Sequence, residues 1–188
     1  DVYKRQSLNQ VTKMILDLGA IPSFSWLDGM RSGEENTEEL LDFCQSNGIE
    51  TLFIVPDRNW NLPDQQESRL KLAKLYEIVR EAKKRDFPIF VGTELNKYGQ
   101  KFVDDFDAPS LAPITPYFLE SAWILWGHVL MEKSSNRGYT SDWAKQVFKN
   151  RKEKNQFYSQ IGRNTSPDIS QLEKLRFLST EELKKQWA

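Results

Sequence analysis

Three short stretches place chemistry-bearing side chains at the ends of apolar runs: Trp26-Leu27-Asp28, Asp57-Arg58-Asn59-Trp60 and Thr93-Glu94-Leu95-Asn96. A carboxylate in such a place can give or take a proton or hold a cation, and a guanidinium can hold an anionic group. Asp57 and Glu94 are the candidates for catalysis. Arg58, Asn59, Asn96, Asp28 and Trp60 are the candidates for binding a substrate. If each stretch continues its strand, side chains alternate between faces, so Asp57 shares a side with Asn59, and Glu94 with Asn96. Glu94 follows "FPIFVG" without a break, and Gly92 leaves space beside it. A carboxylate at that depth costs several kcal/mol unless it is paired or bound to a cation.

Each of these residues also has a plainer reading. Asp28-Gly29 is an ordinary turn signal, and Asp57-Arg58 suits a local ion pair that caps the next helix. Asp104, Asp105 and Asp107 in "FVDDFDAP" fit a loop that binds a cation or sugar hydroxyls, and equally a solvated loop with a helix cap. His128 is the only histidine and sits in the apolar stretch "WILWGHVLM". It reads as a core residue with its hydrogen bonds met, or as a metal ligand beside Glu94. Cys44 falls on a helix stripe, where a thiol is inert. Trp123, Trp126 and Trp143 read as core, and the Lys/Arg run from Lys145 to Lys154 as a solvated helix face.

The elements that must position these groups alternate. "SLNQVTKMILDLG" has Val11, Ile15 and Leu18 at helical spacing and is stopped by Gly19. "AIPSFSWLDG" is a strand and turn, and Glu34 to Asn47 a helix closed by Asn47-Gly48. "IETLFIVP" is a second strand, apolar on both faces as in a helix-covered parallel sheet. A long helix from about Pro63 to Arg85 carries the stripe Leu72, Leu75, Tyr76, Val79 and Ala82. "FPIFVGTELN" is the third strand. This order argues an α/β fold with parallel strands and right-handed crossovers, whose ligands bind at the carboxyl ends of the strands. After a loop with three prolines the pattern turns helical: Thr115-Pro116, Ser141-Asp142 and Ser179 to Glu182 each open a helix.

The stretches "GAIPSFSWLDG", "IVPDRNWN", "VGTELNKYGQKFVDDFDAP" and "WGHVLMEKSSNRGY" together resemble an uncharacterised bacterial family of TIM-like barrels, similar to the PHP-type and amidohydrolase class of metal-dependent hydrolases. The resemblance implies the C-terminal part of a (β/α) barrel over residues 7–115, then a helical extension over 116–188 that packs on it. It implies a divalent metal (zinc, manganese or iron) that activates water, with Glu94 as ligand or base and Asp57 as ligand or substrate contact. The His-x-His pair that opens this class would lie upstream, and the late Asp-x-His pattern is absent. Residues 1–6, "DVYKRQ", match the translation of a sequencing-transposon end and are set aside as an assembly artefact.

Two other functions stay open. A metal-independent glycosidase or sugar-processing barrel would use Glu94 and Asp57 as its carboxyl pair, with Trp60 and Trp26 stacking on a sugar ring. A non-catalytic relative would tie Asp57 and Glu94 into ion pairs with Arg58 or Lys97. A net charge of -1 leaves no electrostatic footprint for nucleic acid or an anionic membrane. The longest apolar run is too short to span a bilayer. A small-molecule substrate and a cytoplasmic setting are therefore expected, the single cysteine agreeing with a reducing compartment. Nothing in the sequence sets the oligomeric state.

Overall fold

In the computed structural model, which describes residues 6–95, 98, 101–166 and 168–187, three short strands make one parallel sheet. These are Ser23–Trp26 (β1), Thr51–Ile54 (β2) and Ile89–Val91 (β3), in the order β1-β2-β3. Trp26 pairs with Ile54 and Ile54 with Val91, so all three strands end at one level. Leu52, Ile54 and Ile89 are fully buried, while Phe53 keeps about a third of its surface. The chain is thus helix-rich with a small, open parallel sheet, a partial α/β arrangement.

Connections between the strands are helical, for local reasons. Asn36 accepts from the N–H groups of Glu38 and Glu39 and so opens α2, Thr37–Ser46. Asp64 does the same for α4, Gln65–Lys84, through Gln66 and Glu67. Helix α4 buries Leu75, Ile78, Val79 and Ala82. Gly48, at φ +71°, follows α2 where an L side chain would be strained.

The described chain divides into two units. One holds the sheet and comprises Ser23–Phe43 and Thr51–Ala122. The other comprises the chain up to Pro22, Cys44–Glu50 and Trp123 onward. The expected division at 115/116 falls elsewhere: α1 (Leu8–Asp17) joins the C-terminal helices. Within α1 the expected stripe also shifts, since Thr12 is buried while Leu18 is exposed.

The helical unit is built on aromatic rings. Tyr139, Phe148, Phe157 and Tyr158 stack edge-on or tilted at 4.9–6.1 Å between centroids. Trp143 joins them and donates from Nε1 to Thr180 Oγ1 at 3.0 Å. Two glycines let α5 (Thr115–Ser135) and α7 (Arg151–Asn164) cross closely. A Cβ at Gly127 would stand 2.0 Å from the Tyr158 carbonyl, and one at Gly162 2.0 Å from that of Trp123. Three expectations need correction here. Thr115 does not cap α5 as an acceptor: its hydroxyl donates to the carbonyls of Phe106 and Leu111. The Lys145–Lys154 run is not one solvated face. It is divided between α6 (Asp142–Val147) and α7, and Lys154 lies largely buried against Glu50 (3.3 Å) and over the Tyr139 ring (3.9 Å). Burial pulls the Lys154 ammonium below its ordinary range, against the opposing pull of Glu50. Finally, α5 is not buried all round, because Leu119 and Leu125 are exposed.

Candidate functional site

The polar residues after β2 do not continue the strand. Pro56 sits at φ -60°, ψ -37° and starts a single helical turn, α3 (Asp57–Trp60). Proline fixes φ near the helical value, and β2 ends at Ile54, two residues before the end of its apolar run at Pro56. Asp57 and Asn59 are therefore about 200° apart on a helix rather than on one face of a strand. Asp57 Oδ1 instead accepts from Asn61 Nδ2 at 2.9 Å, one turn on. Asn59 is fully buried and donates to the carbonyls of Leu27 (3.1 Å) and Val55 (3.3 Å), which ties the end of β1 to the end of β2. Its Oδ1 is buried without a partner.

The end of β1 is organised by a residue that sequence reasoning passed over. The helix expected to begin at Glu34 begins at Thr37. Glu34 lies in the turn before α2, buried, and reaches back to three backbone N–H groups. Leu27 N donates to Oε1 (3.0 Å), and Asp28 N and Gly29 N to Oε2 (3.2 and 3.0 Å). The available signal was the turn itself: Asp28-Gly29 turns its amides inward, and buried amides require an acceptor. Asp28 uses Oδ1 to accept from Met30 N (3.1 Å) and pairs through Oδ2 with Lys71 Nζ (3.1 Å). Burial opposes its ionisation, but Met30 N–H and Lys71 outweigh this and hold the carboxyl below its ordinary value.

After β3 the chain leaves the sheet at Gly92, so Glu94 stands three residues beyond the strand. The space expected beside Gly92 is filled by the Phe53 ring, whose Cζ would lie 2.4 Å from a Cβ there. Glu94 is one-third exposed and accepts from Arg58 Nη1 at 2.7 Å. Asn96 and Lys97 lie outside the described residues.

The acidic loop resolves into one buried carboxyl and two exposed ones. Asp105 and Asp107 face solvent, whereas Asp104 is buried. Asp104 Oδ1 accepts from Trp60 Nε1 (2.9 Å) and from Asp105 N (3.0 Å). Its Oδ2 is buried with no full hydrogen bond. Burial raises the Asp104 pKa above the ordinary aspartate range and the Asp57 charge adds to this, partly offset by the Trp60 indole and by the Asp105 and Asp57 amides. Lys101 Nζ lies 5.6 Å from the centre of the Trp60 ring. Asp57, Arg58, Trp60, Glu94 and Asp104 thus share one region at the carboxyl ends of the strands, linked residue to residue.

His128 belongs to the other unit. It is buried, and its Nδ1 accepts from Tyr139 N at 3.0 Å. Burial lowers its pKa to about 4, so the ring is neutral. Cys44 is buried and its thiol is pushed up to about 11. As donors for a metal these residues fit poorly: Glu94 is engaged by a guanidinium and the His128 Nδ1 lone pair by an amide. Among the described residues no three His, Cys, Asp or Glu side chains are placed to hold one ion. No helix among them is long and apolar enough to cross a membrane. No protein-family model, curated protein or solved structure matches this chain.

Proposed function

We propose that the chain carries the site of a hydrolase of the (β/α)-barrel kind, at the carboxyl ends of β1–β3, and that the site works by carboxyl acid–base chemistry. The observation that carries this reading is Asp104. It is a buried carboxyl whose surroundings raise its pKa, anchored by an indole and set beside a second carboxyl, Asp57. Two carboxyls in unlike surroundings divide the roles of acid and base. Because Oδ2 is covered, substrate binding has to expose it; the Asp104 carboxyl then gives its proton to the leaving oxygen while Asp57 takes one from the attacking water, and the two exchange protons with solvent to reset. The substrate class this suits is a glycoside, with the Trp60 ring flanking the sugar and Arg58 orienting it. The acid role thereby passes from Glu94, which Arg58 engages, to Asp104.

A non-catalytic reading draws on the 2.7 Å Arg58–Glu94 pair. The metal-dependent form of the hydrolase draws on the family resemblance, and no step is routed through a metal here. One experiment separates the three. Aryl and disaccharide glycosides are offered to the parent chain and to Asp104→Asn, and metal content is measured in the parent and in Glu94→Gln. Glycoside turnover that falls about 10²–10⁴-fold in Asp104→Asn supports the proposal. Near-stoichiometric metal that Glu94→Gln removes moves the reading to the metal-dependent class, and neither signal leaves the non-catalytic one.

A further inference from the structure

The Arg58–Glu94 pair is the loosest contact of the strand-end region. Its side chains are 38% and 32% exposed, and a single bond joins them, Nη1 to Oε1. An ion pair this exposed contributes little, because water solvates both charges. A guanidinium presents its N–H donors in a planar fork. Arg58 gives one of them to Glu94 and has no other acceptor among the described residues. A second cation lies close by. Lys101 Nζ stands over the Trp60 ring, exposed, with no carboxylate partner among the described residues. The neighbouring carboxyls are occupied elsewhere: Asp57 accepts from Asn61, and Asp104 from the Trp60 indole and the Asp105 amide. Two cations with unused bonding capacity thus share the region of the ring that is set against the sugar.

From this arrangement, and resting on the hydrolase reading, we propose that the substrate is an anionic glycoside, whose carboxylate or sulfate ester takes the place of Glu94 on Arg58 and lies beside Lys101. Glu94 is then a place-holder. Its carboxylate swings into water when the substrate arrives, and Arg58 exchanges a single contact for a two-bonded one with no change in net charge. The region holds more carboxyls than cations, so it does not draw anions from a distance. Recognition comes at contact, which suits the fixed fork of an arginine. The charge of the substrate also serves the acid. Like that of Asp57, it opposes ionisation of Asp104 and keeps the proton in place until the leaving oxygen takes it.

The test offers the full chain nitrophenyl glucosides, glucuronides and glucosides sulfated at the primary hydroxyl, each in both anomers. Calorimetry measures binding of the matching free sugars: glucose, glucuronate and sulfated glucose. The expected result is a kcat/KM about tenfold higher, or more, for an anionic glycoside than for the glucoside. Which of the two anions leads tells whether a carboxylate or a sulfate is read. The preference falls about tenfold in Arg58→Gln and returns in part in Arg58→Lys. It rises in Glu94→Gln, where the place-holder is gone. A merely structural role would not move the preference in opposite directions, and either variant decides the matter if the other fails to fold. Glucoside turned over as well as both anionic glycosides, or a preference that Arg58→Gln leaves intact, overturns the proposal while the hydrolase reading stands. If no glycoside is turned over, the hydrolase reading fails and calorimetry decides for the anion subsite. Binding of an anionic sugar alone, lost in Arg58→Gln, upholds it; equal binding of all three sugars, or none at millimolar concentration, overturns it.

Discussion

Two buried titratable groups make opposite demands on pH. The Asp104 pKa is raised in the fold, so the folded chain holds this proton more tightly than the unfolded one. Its contribution to stability is complete below the ordinary aspartate range and is lost as pH rises through the raised value. Asp104→Asn keeps an acceptor for the Trp60 indole and removes the buried charge. Its melting temperature is expected to exceed the parent's at pH 7 by roughly 2–4 °C, with the gain vanishing near pH 3. A carboxyl kept where its surroundings oppose its charge, at a cost in stability, fits a site that trades stability for function. An unchanged melting temperature at pH 7 would show that Asp104 is not held in a hostile environment. His128 runs the other way. Its pKa falls from 6.5 to about 4, so the neutral ring contributes stability above pH 6.5, and that contribution is lost as pH falls to about 4. The size is about 3 kcal/mol from the two values. His128→Gln can still accept from Tyr139 N, and its urea midpoint should therefore lose most of its pH dependence between 6.5 and 4. At this scale the sequence was legible where a residue's plain reading held, as for Cys44 and His128. It was not legible at Asp104, whose neighbours Asp105 and Asp107 have the same chemistry and are exposed.

At the level of elements, periodicity located the helices and strands well, and errors came where a turn replaced regular structure. Pro56 converts the end of β2 into a helical turn, and the alternation argument for Asp57 and Asn59 fails with it. Glu34 shows the same limit: helix-start chemistry was visible, but the acceptor needed by three buried amides at the end of β1 was a long-range demand. Removing that acceptor is informative. Glu34→Ala strands the amides of Leu27, Asp28 and Gly29, each costing about 1–3 kcal/mol if left unmet. The variant should unfold at markedly lower urea and lose hydrogen-exchange protection at those amides first. If protection there is unchanged, the carboxylate does not hold the loop. The glycines between α5 and α7 set a second limit, since no period in the sequence marks a close crossing. Gly127→Ala improves helix propensity by about 1 kcal/mol. It also drives a methyl to 2.0 Å from the Tyr158 carbonyl, backbone that cannot step aside. Overpacking of this kind costs about 1–3 kcal/mol or more, so the net effect expected in thermal melts is a loss, against the propensity scale.

Across the whole molecule, the sequence conveyed the alternation of helix and strand and the polar strand ends, while the division into units was out of its reach. Local patterns place a boundary where composition changes, near Thr115, but α1 is assigned by what it packs with, and packing partners distant in sequence leave no local mark. The resulting chain path has a physical consequence. It passes between the two units four times, at 22/23, 43/44, 50/51 and 122/123, and two of these passages fall inside helices, α2 and α5. A helix is cooperative along its length, because each added residue gains a hydrogen bond from the turn already formed. Unfolding either unit must therefore break α2 and α5 in mid-course, leaving carbonyls and amides on both sides of the break without partners. Each unit also holds segments that are not contiguous in sequence, so neither can be completed from one stretch of chain. One concerted transition is expected in urea, with tryptophan fluorescence, far-ultraviolet circular dichroism and the exchange of β2 and α7 amides all sharing a midpoint. Separate midpoints for β2 and α7 would mean that the helices melt at the passages, and that each unit has a stability of its own.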